Sequence, residues 1–329
     1  MMNRIKTAVG TMIFTGMWQR STIIALTMLL LGALSVTVMA EPVTEFQGTI
    51  TLARGIQEEL YGAGEVADVD LASGGSVLRF LGIEPHRVPT GETTFLARLQ
   101  PGYYADFGVV VADARGVPGA PLYVCSDYNP DNNRICHTPR LAPDLQRVAF
   151  GIVDGGGTVC VDDFGLYWAD YVVIRDRGGN ELARFEGYYA PDWLPDGRLL
   201  MLGSPCRGAG VWVTDAALQT LTRVDGGQVA TPAANPAVSP DGSRVLFVWN
   251  QQLWTMSLDG QSELTQLTVF EQAVQAGGWS PDGTAIVATI AEFVGAPLPL
   301  KALVFFRPGD TQVQTMPLAF YPWGPLSWY

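Results

Sequence analysis

The chain has 329 residues, 48% of them hydrophobic, which is ample for a buried core and excludes a disordered chain. Thirty-seven glycines and 22 prolines, set among abundant Val, Leu and aromatic residues, favour short strands joined by many turns, so an all-β fold is expected. A formal charge of −12 works against nucleic acid as a partner.

At the N-terminus, Arg4, Lys6 and Arg20 precede an apolar run from Ile23 to Met39, and Val38-Met39-Ala40 followed by Glu41 fits a small-residue cleavage site. Residues 1–40 are predicted to be a secretory signal and 41–329 a single exported domain, periplasmic or extracellular. The alternative is an uncleaved anchor, because the run stands at the lower limit for spanning a bilayer. A membrane association is expected only in that case. No Cys follows the run, which disfavours lipidation. Without residues 1–40 the chain keeps 32 acidic and 17 basic residues, a charge of −15 that suits cationic, neutral or metal-ion partners.

Further along, apolar strands run into polar turns at Val66-Ala67-Asp68-Val69-Asp70 with Gly74-Gly75, and at Val109-Val110-Val111 with Asp113-Arg115-Gly116. A sharper turn follows. Ala142-Pro143-Asp144, Leu194-Pro195-Asp196-Gly197, Ser239-Pro240-Asp241-Gly242 and Ser280-Pro281-Asp282-Gly283 each stand before an apolar strand, and their prolines are 52, 45 and 41 residues apart, a spacing that suits a four-stranded propeller blade. Proline presets φ for the turn, Asp bonds to the amides ahead of it, and Gly accepts positive φ where the next strand begins. Each of these turns has an outer hairpin downstream: Val172-Val173-Ile174 to Asp176, Val211-Trp212-Val213 to Asp215, Leu253 through Met256 to Asp259, and Leu303 through Phe306 to Pro308-Gly309-Asp310. With the two earlier units this makes six hairpins.

Strands such as Val245-Leu246-Phe247-Val248 are apolar on both sides, so a blade must be sandwiched between neighbours, and a closed ring gives every blade two of them. The predicted fold is a six-bladed β-propeller of four-stranded antiparallel blades. Tyr321 through Trp328 reads as an inner strand without its blade, and Phe46 through Leu52 as the strand beside it, so the two termini are expected to close the ring.

The Ser-Pro-Asp-Gly turn, with an apolar or Trp residue before it and a hairpin such as Trp254-Thr255-Met256-Ser257-Leu258-Asp259-Gly260 after it, resembles the TolB-type "PD" propeller repeat. The resemblance is strong over roughly residues 141–310 and weak over 45–140. It implies a six- or seven-bladed propeller, commonly periplasmic or extracellular, that binds proteins or other ligands. It also implies relatives among the non-catalytic propellers of prolyl-oligopeptidase-type peptidases and among oligogalacturonate lyases, which add metal ligands.

Cys125, Cys136, Cys160 and Cys206 suggest two disulfides in an oxidising compartment. Of the three pairings, Cys125 with Cys136 and Cys160 with Cys206 is favoured: the first two flank one excursion between blades, and the second two fall in equivalent loops of consecutive blades. Between the first pair, Asp127, Asn129, Asp131 and Asn133 place oxygen ligands as a calcium loop does, but Asn132 replaces the usual Gly and Thr138 stands where a bidentate Glu is expected. The competing and favoured reading is a metal-free, Asx-rich turn stapled by the disulfide. No other cofactor is expected.

The insertion from Asp154 to Trp168 gathers acidic and aromatic groups on the side of these loops, which makes Asp162, Asp163, Tyr167 and Trp168 the candidate ligand-binding residues. A tolerated surface loop is the plain alternative. Trp193, Trp254 and Trp279 are expected to pack between blades, and His86 and His137 to be ordinary loop residues. No G-x-S-x-G elbow or phosphate loop occurs, and two histidines cannot build a multi-histidine metal site. The expected function is a non-catalytic binding or scaffolding module of the cell envelope with a protein or envelope component as partner. The alternatives are a carbohydrate-active hydrolase or lyase using channel carboxylates, and a membrane-tethered surface domain.

Overall fold

The computed structural model describes residues 45–55, 64–99, 106–126, 134–154, 160–162, 165–167, 169–205, 207–259, 264–291, 301–310, 312–318 and 320–329. They form six four-stranded antiparallel blades, each ordered from an inner to an outer strand, arranged as a β-propeller. Blade 1 runs over residues 83–126, blade 2 over 134–186, blade 3 over 188–223, blade 4 over 234–266 and blade 5 over 274–317. Blade 6 takes its inner strand, Tyr321–Trp328, from the end of the chain and its other three, Thr49–Gly55, Gly64–Asp70 and Ser76–Leu81, from the beginning. The ring therefore closes as the termini predict. Ile50 pairs with Trp328, Leu52 with Leu326, and the amides of Thr49 and Tyr329 bond to each other's carbonyls at 2.9 and 3.1 Å.

The core lies between blades. Among the described residues, six buried clusters each join one pair of neighbours, because successive residues of a strand point to opposite sides. In Arg244–Trp249, Val245 and Phe247 pack on Leu200, Leu202 and Val213 of blade 3, while Leu246 packs on Ile286 and Val304 of blade 5. Trp193 and Trp279 sit in these seams, as expected. Each donates its indole N–H, at 3.0 Å, to a carbonyl of the preceding blade, Arg140 and Ala237 respectively. Trp254 packs against the cluster between blades 3 and 4 as well, edge-on to Trp249 at 5.0 Å, but its indole N–H bonds to the Trp249 carbonyl within its own blade.

The Pro-Asp-Gly segments join each inner strand to the second one. Asp196, Asp241 and Asp282 accept the amide two residues ahead at 3.0–3.1 Å, and Gly197, Gly242 and Gly283 have φ of +85°, +72° and +70°. In blade 2 Leu145 fills the glycine's place at φ +60°. Blade 1 makes the same turn from Pro89-Thr90-Gly91, with the Gly91 amide bonded to Val88 at 2.8 Å. Asp70, Asp113, Asp176 and Asp215 brace the outer hairpins in the same manner. The strands flanking these turns, and those flanking the outer hairpins of blades 4 and 5, meet on one face of the ring.

A second repeat occupies the inner strands. Each carries a register shift. In blades 1 to 4 the shift falls at a residue of left-handed φ followed by proline: Glu84-Pro85, Thr138-Pro139, Ala190-Pro191 and Asn235-Pro236, with φ between +45° and +52°. The inner strand is an edge strand, so a proline removes no ladder bond there, and the bulge re-aims the residues that follow.

Candidate functional site

The face opposite the Pro-Asp turns carries the predicted ligand loops. Cys125, on the outer strand of blade 1, is bonded to Cys136, on the inner strand of blade 2, with Cα atoms 5.7 Å apart. The disulfide thus pins both ends of the 127–133 connection. Asp127, Asn129, Asp131 and Asn133 lie outside the described residues. The blade 2 insertion forms a two-stranded ribbon in which Cys160 stands opposite Tyr167 and Asp162 opposite Gly165. Asp163, Trp168 and Cys206 lie outside the described residues, as do the side chains of Cys160, Asp162 and Tyr167. The strands flanking the 127–133, 155–168 and 204–209 connections all end on this one face. Among the described residues, no three His, Cys, Asp or Glu side chains come together as a metal site.

A second constellation lies at the ring centre. His86, Arg140 and Asp192 occupy one equivalent position, the residue directly after the inner-strand proline of blades 1, 2 and 3. Arg140 is 3% exposed and Asp192 8%, and the guanidinium Nε is 3.3 Å from the Asp192 carboxylate. Glu84, one proline earlier than His86, accepts the Thr138 amide of blade 2 and also faces Arg140. The Glu84 side chain has room because Gly324 of blade 6 lies against it; a Cβ there would come within 3.2 Å of the Glu84 Cγ.

These residues also make a ladder around the axis. The Ser327 hydroxyl accepts the Arg87 amide at 3.0 Å, His86 Nδ1 accepts the Leu141 amide at 3.3 Å, and Asp192 accepts the Val238 amide at 2.7 Å. Each rung crosses one seam. Arg140 has no acceptor to offer, so the rung between blades 2 and 3 becomes an ion pair, and Asp192 takes the Trp193 amide as well. Burial pushes the carboxyls of Glu84 and Asp192 up, against the opposing pull of Arg140 and backbone amides. Burial likewise lowers Arg140, and burial with the Arg140 charge holds His86 well below the usual imidazole range.

The expectation that His86 and His137 are loop residues is overturned: both stand on inner strands. His137 lies flat on the backbone of Gly151, where a Cβ would come within 2.1 Å of the ring, and burial lowers it to about 4. Sequence reasoning passed over the central group because its members differ chemically from blade to blade. The signal was the Pro-x-x-x-Pro spacing at 85/89, 139/143, 191/195 and 236/240, which marks the central position in each repeat.

No family model matches the chain. Among solved structures it is similar to a putative TolB from Agrobacterium tumefaciens, at 15% identity and a TM-score of 0.53, over 86% of this chain and 99% of that one. It is also similar to a chain of a nidogen/laminin complex, at 9% identity and a TM-score of 0.56, over 85% and 98%. An oligogalacturonate lyase in complex with manganese matches at 13% identity and a TM-score of 0.50, over 80% and 77%. At such identities the likeness is one of fold alone, that of a β-propeller.

Proposed function

We propose that this chain is an exported β-propeller that binds a protein or another component of the cell envelope through the face bearing the 127–133 and 155–168 connections, and that it performs no chemistry. One observation carries the reading: the ionisable groups at the ring centre are committed to one another and to backbone amides. Glu84 and Asp192 share Arg140 and each accepts an amide of the next blade, so neither is free to act on a substrate as acid or nucleophile. The opposite face, by contrast, is enlarged by the blade 2 ribbon and fastened by the Cys125–Cys136 disulfide. That disulfide supports an oxidising compartment. The nidogen/laminin complex is named for a partnership between proteins, which agrees with a propeller used for holding a partner.

The test is a pull-down from the native envelope with the intact protein and with a variant whose 155–168 connection is replaced by a short Gly-Ser turn. Retained components should be lost from the variant. Equal retention by both would refute a binding role for this face, and turnover of a polysaccharide panel that disappears in Asp162→Asn, Asp163→Asn or Glu84→Gln would establish an enzyme. The 127–133 connection is read as an Asx-rich turn held by the disulfide, and calorimetric heat on adding calcium would recast it as a calcium site.

A further inference from the structure

We propose that His86 is an acid-sensitive latch between blades 1 and 2, which holds the seam only while its imidazole is neutral. The geometry fixes the state of the ring. Nδ1 accepts the Leu141 amide, so it carries no proton, and the neutral tautomer has its N–H at Nε2. A proton on Nδ1 would set two donors face to face, and the resulting charge would stand beside the Arg140 guanidinium.

His86 is half-buried, and the protein groups around it offer that charge little compensation. From blade 2 the charged neighbour is Arg140. From blade 6 the uncharged Ser327 hydroxyl is engaged with the Arg87 amide. On the histidine's own strand, Glu84 is turned to the Thr138 amide and Arg140, and Arg87 is paired with Asp68 and laid over the Tyr329 ring at 4.2 Å. From blade 3, Asp192 is paired with Arg140. Among the described residues, the carboxylates named here, Glu84, Asp68 and Asp192, are each already engaged.

Other contacts also fasten the seam, among them the Glu84 bond to Thr138, the Thr94 hydroxyl bond to the Pro139 carbonyl at 3.0 Å, the Arg177–Glu92 ion pair at 3.2 Å, the buried apolar cluster and the disulfide at the opposite face. Acid therefore loosens the seam at the Leu141 rung while Cys125–Cys136 keeps the blades together. The sign follows from linkage. A histidine held low in the folded state binds its proton first in the unfolded or opened state, so its contribution is intact above the ordinary imidazole range and is lost as pH falls below it. Glu84 and Asp192, held high, act in the opposite sense.

Amide exchange at Leu141, corrected for its intrinsic pH dependence, tests the latch in the full chain at about pH 7 and about pH 4.5. Protection should fall at least about tenfold in acid, and His86→Asn, which offers an acceptor that does not titrate, should abolish the fall. No fall in the wild type, or the same fall in His86→Asn, overturns the proposal. So does a fall that disappears in Glu84→Gln. Should His86→Asn not fold, the imidazole nitrogen resonances of the wild type decide, two histidines being simple to assign. A bare Nδ1 at neutral pH supports the latch and a protonated one refutes it.

Discussion

The Arg140 guanidinium of blade 2 lies 3.3 Å from the Asp192 carboxylate of blade 3, and both are almost wholly buried. Removing one partner leaves the other charge without compensation inside the ring. Arg140→Met or Asp192→Ala should each cost about 3–5 kcal/mol in urea unfolding. The double variant should cost less than the sum, because the two losses are shared. Strict additivity would show that the pair is not coupled.

Closure of blade 6 depends on Tyr321–Trp328. Deleting residues 319–329 strips Ile50 and Leu52 of their partner strand and should abolish the cooperative thermal transition. A gentler probe is Trp328→Ala. That side chain packs between Phe46 and Phe305 and donates to the Gln47 carbonyl at 2.9 Å, so its loss should cost about 3–5 kcal/mol. An unchanged midpoint in the deletion would rule out ring closure by the termini.

The Ser239 hydroxyl, with the hydroxyl and amide of Ser243, holds the Asp241 carboxyl at about 2. A carboxyl held low stabilises the fold above its ordinary range, and the contribution disappears as pH falls through the folded value. The stability gap between wild type and Asp241→Asn, followed by chemical denaturation, should therefore be full near neutrality and vanish by about pH 2. A gap independent of pH would assign the effect to shape and not to charge.

Cys125 and Cys136 close a loop with a sequence separation of 11. Replacing both with Ser should cost about 2–3 kcal/mol through the entropy of the unfolded chain. Non-reducing peptide mapping of the wild type should show this bridge together with Cys160–Cys206. A peptide joining Cys125 to Cys206 would contradict both.

Much of this frame was legible in the sequence because turns are local. Pro240-Asp241-Gly242 carries its own φ preset, its own amide acceptor and its own left-handed residue, so three letters specify a hairpin whatever surrounds them. Pro89-Thr90-Gly91 was overlooked because Thr90 lacks the carboxylate, although the backbone turns there in the same way. The loop face was legible only as composition. The central group was hidden for a different reason: Glu84, His86, Arg140 and Asp192 belong to three repeats far apart in the chain, and only the ring brings them together. The left-handed residues before Pro85 and Pro139 were also concealed, since a residue preceding proline is ordinarily extended.

Blade 6 has an implication for synthesis. Thr51 and Tyr329, whose hydroxyls meet at 3.3 Å, are separated by 278 residues, so the first strands of the fold must wait for the last ones before their exposed edge is covered. Contacts of such length form slowly. A truncated product would present Thr49–Gly55 as an unpaired edge, open to proteases and to stray strands.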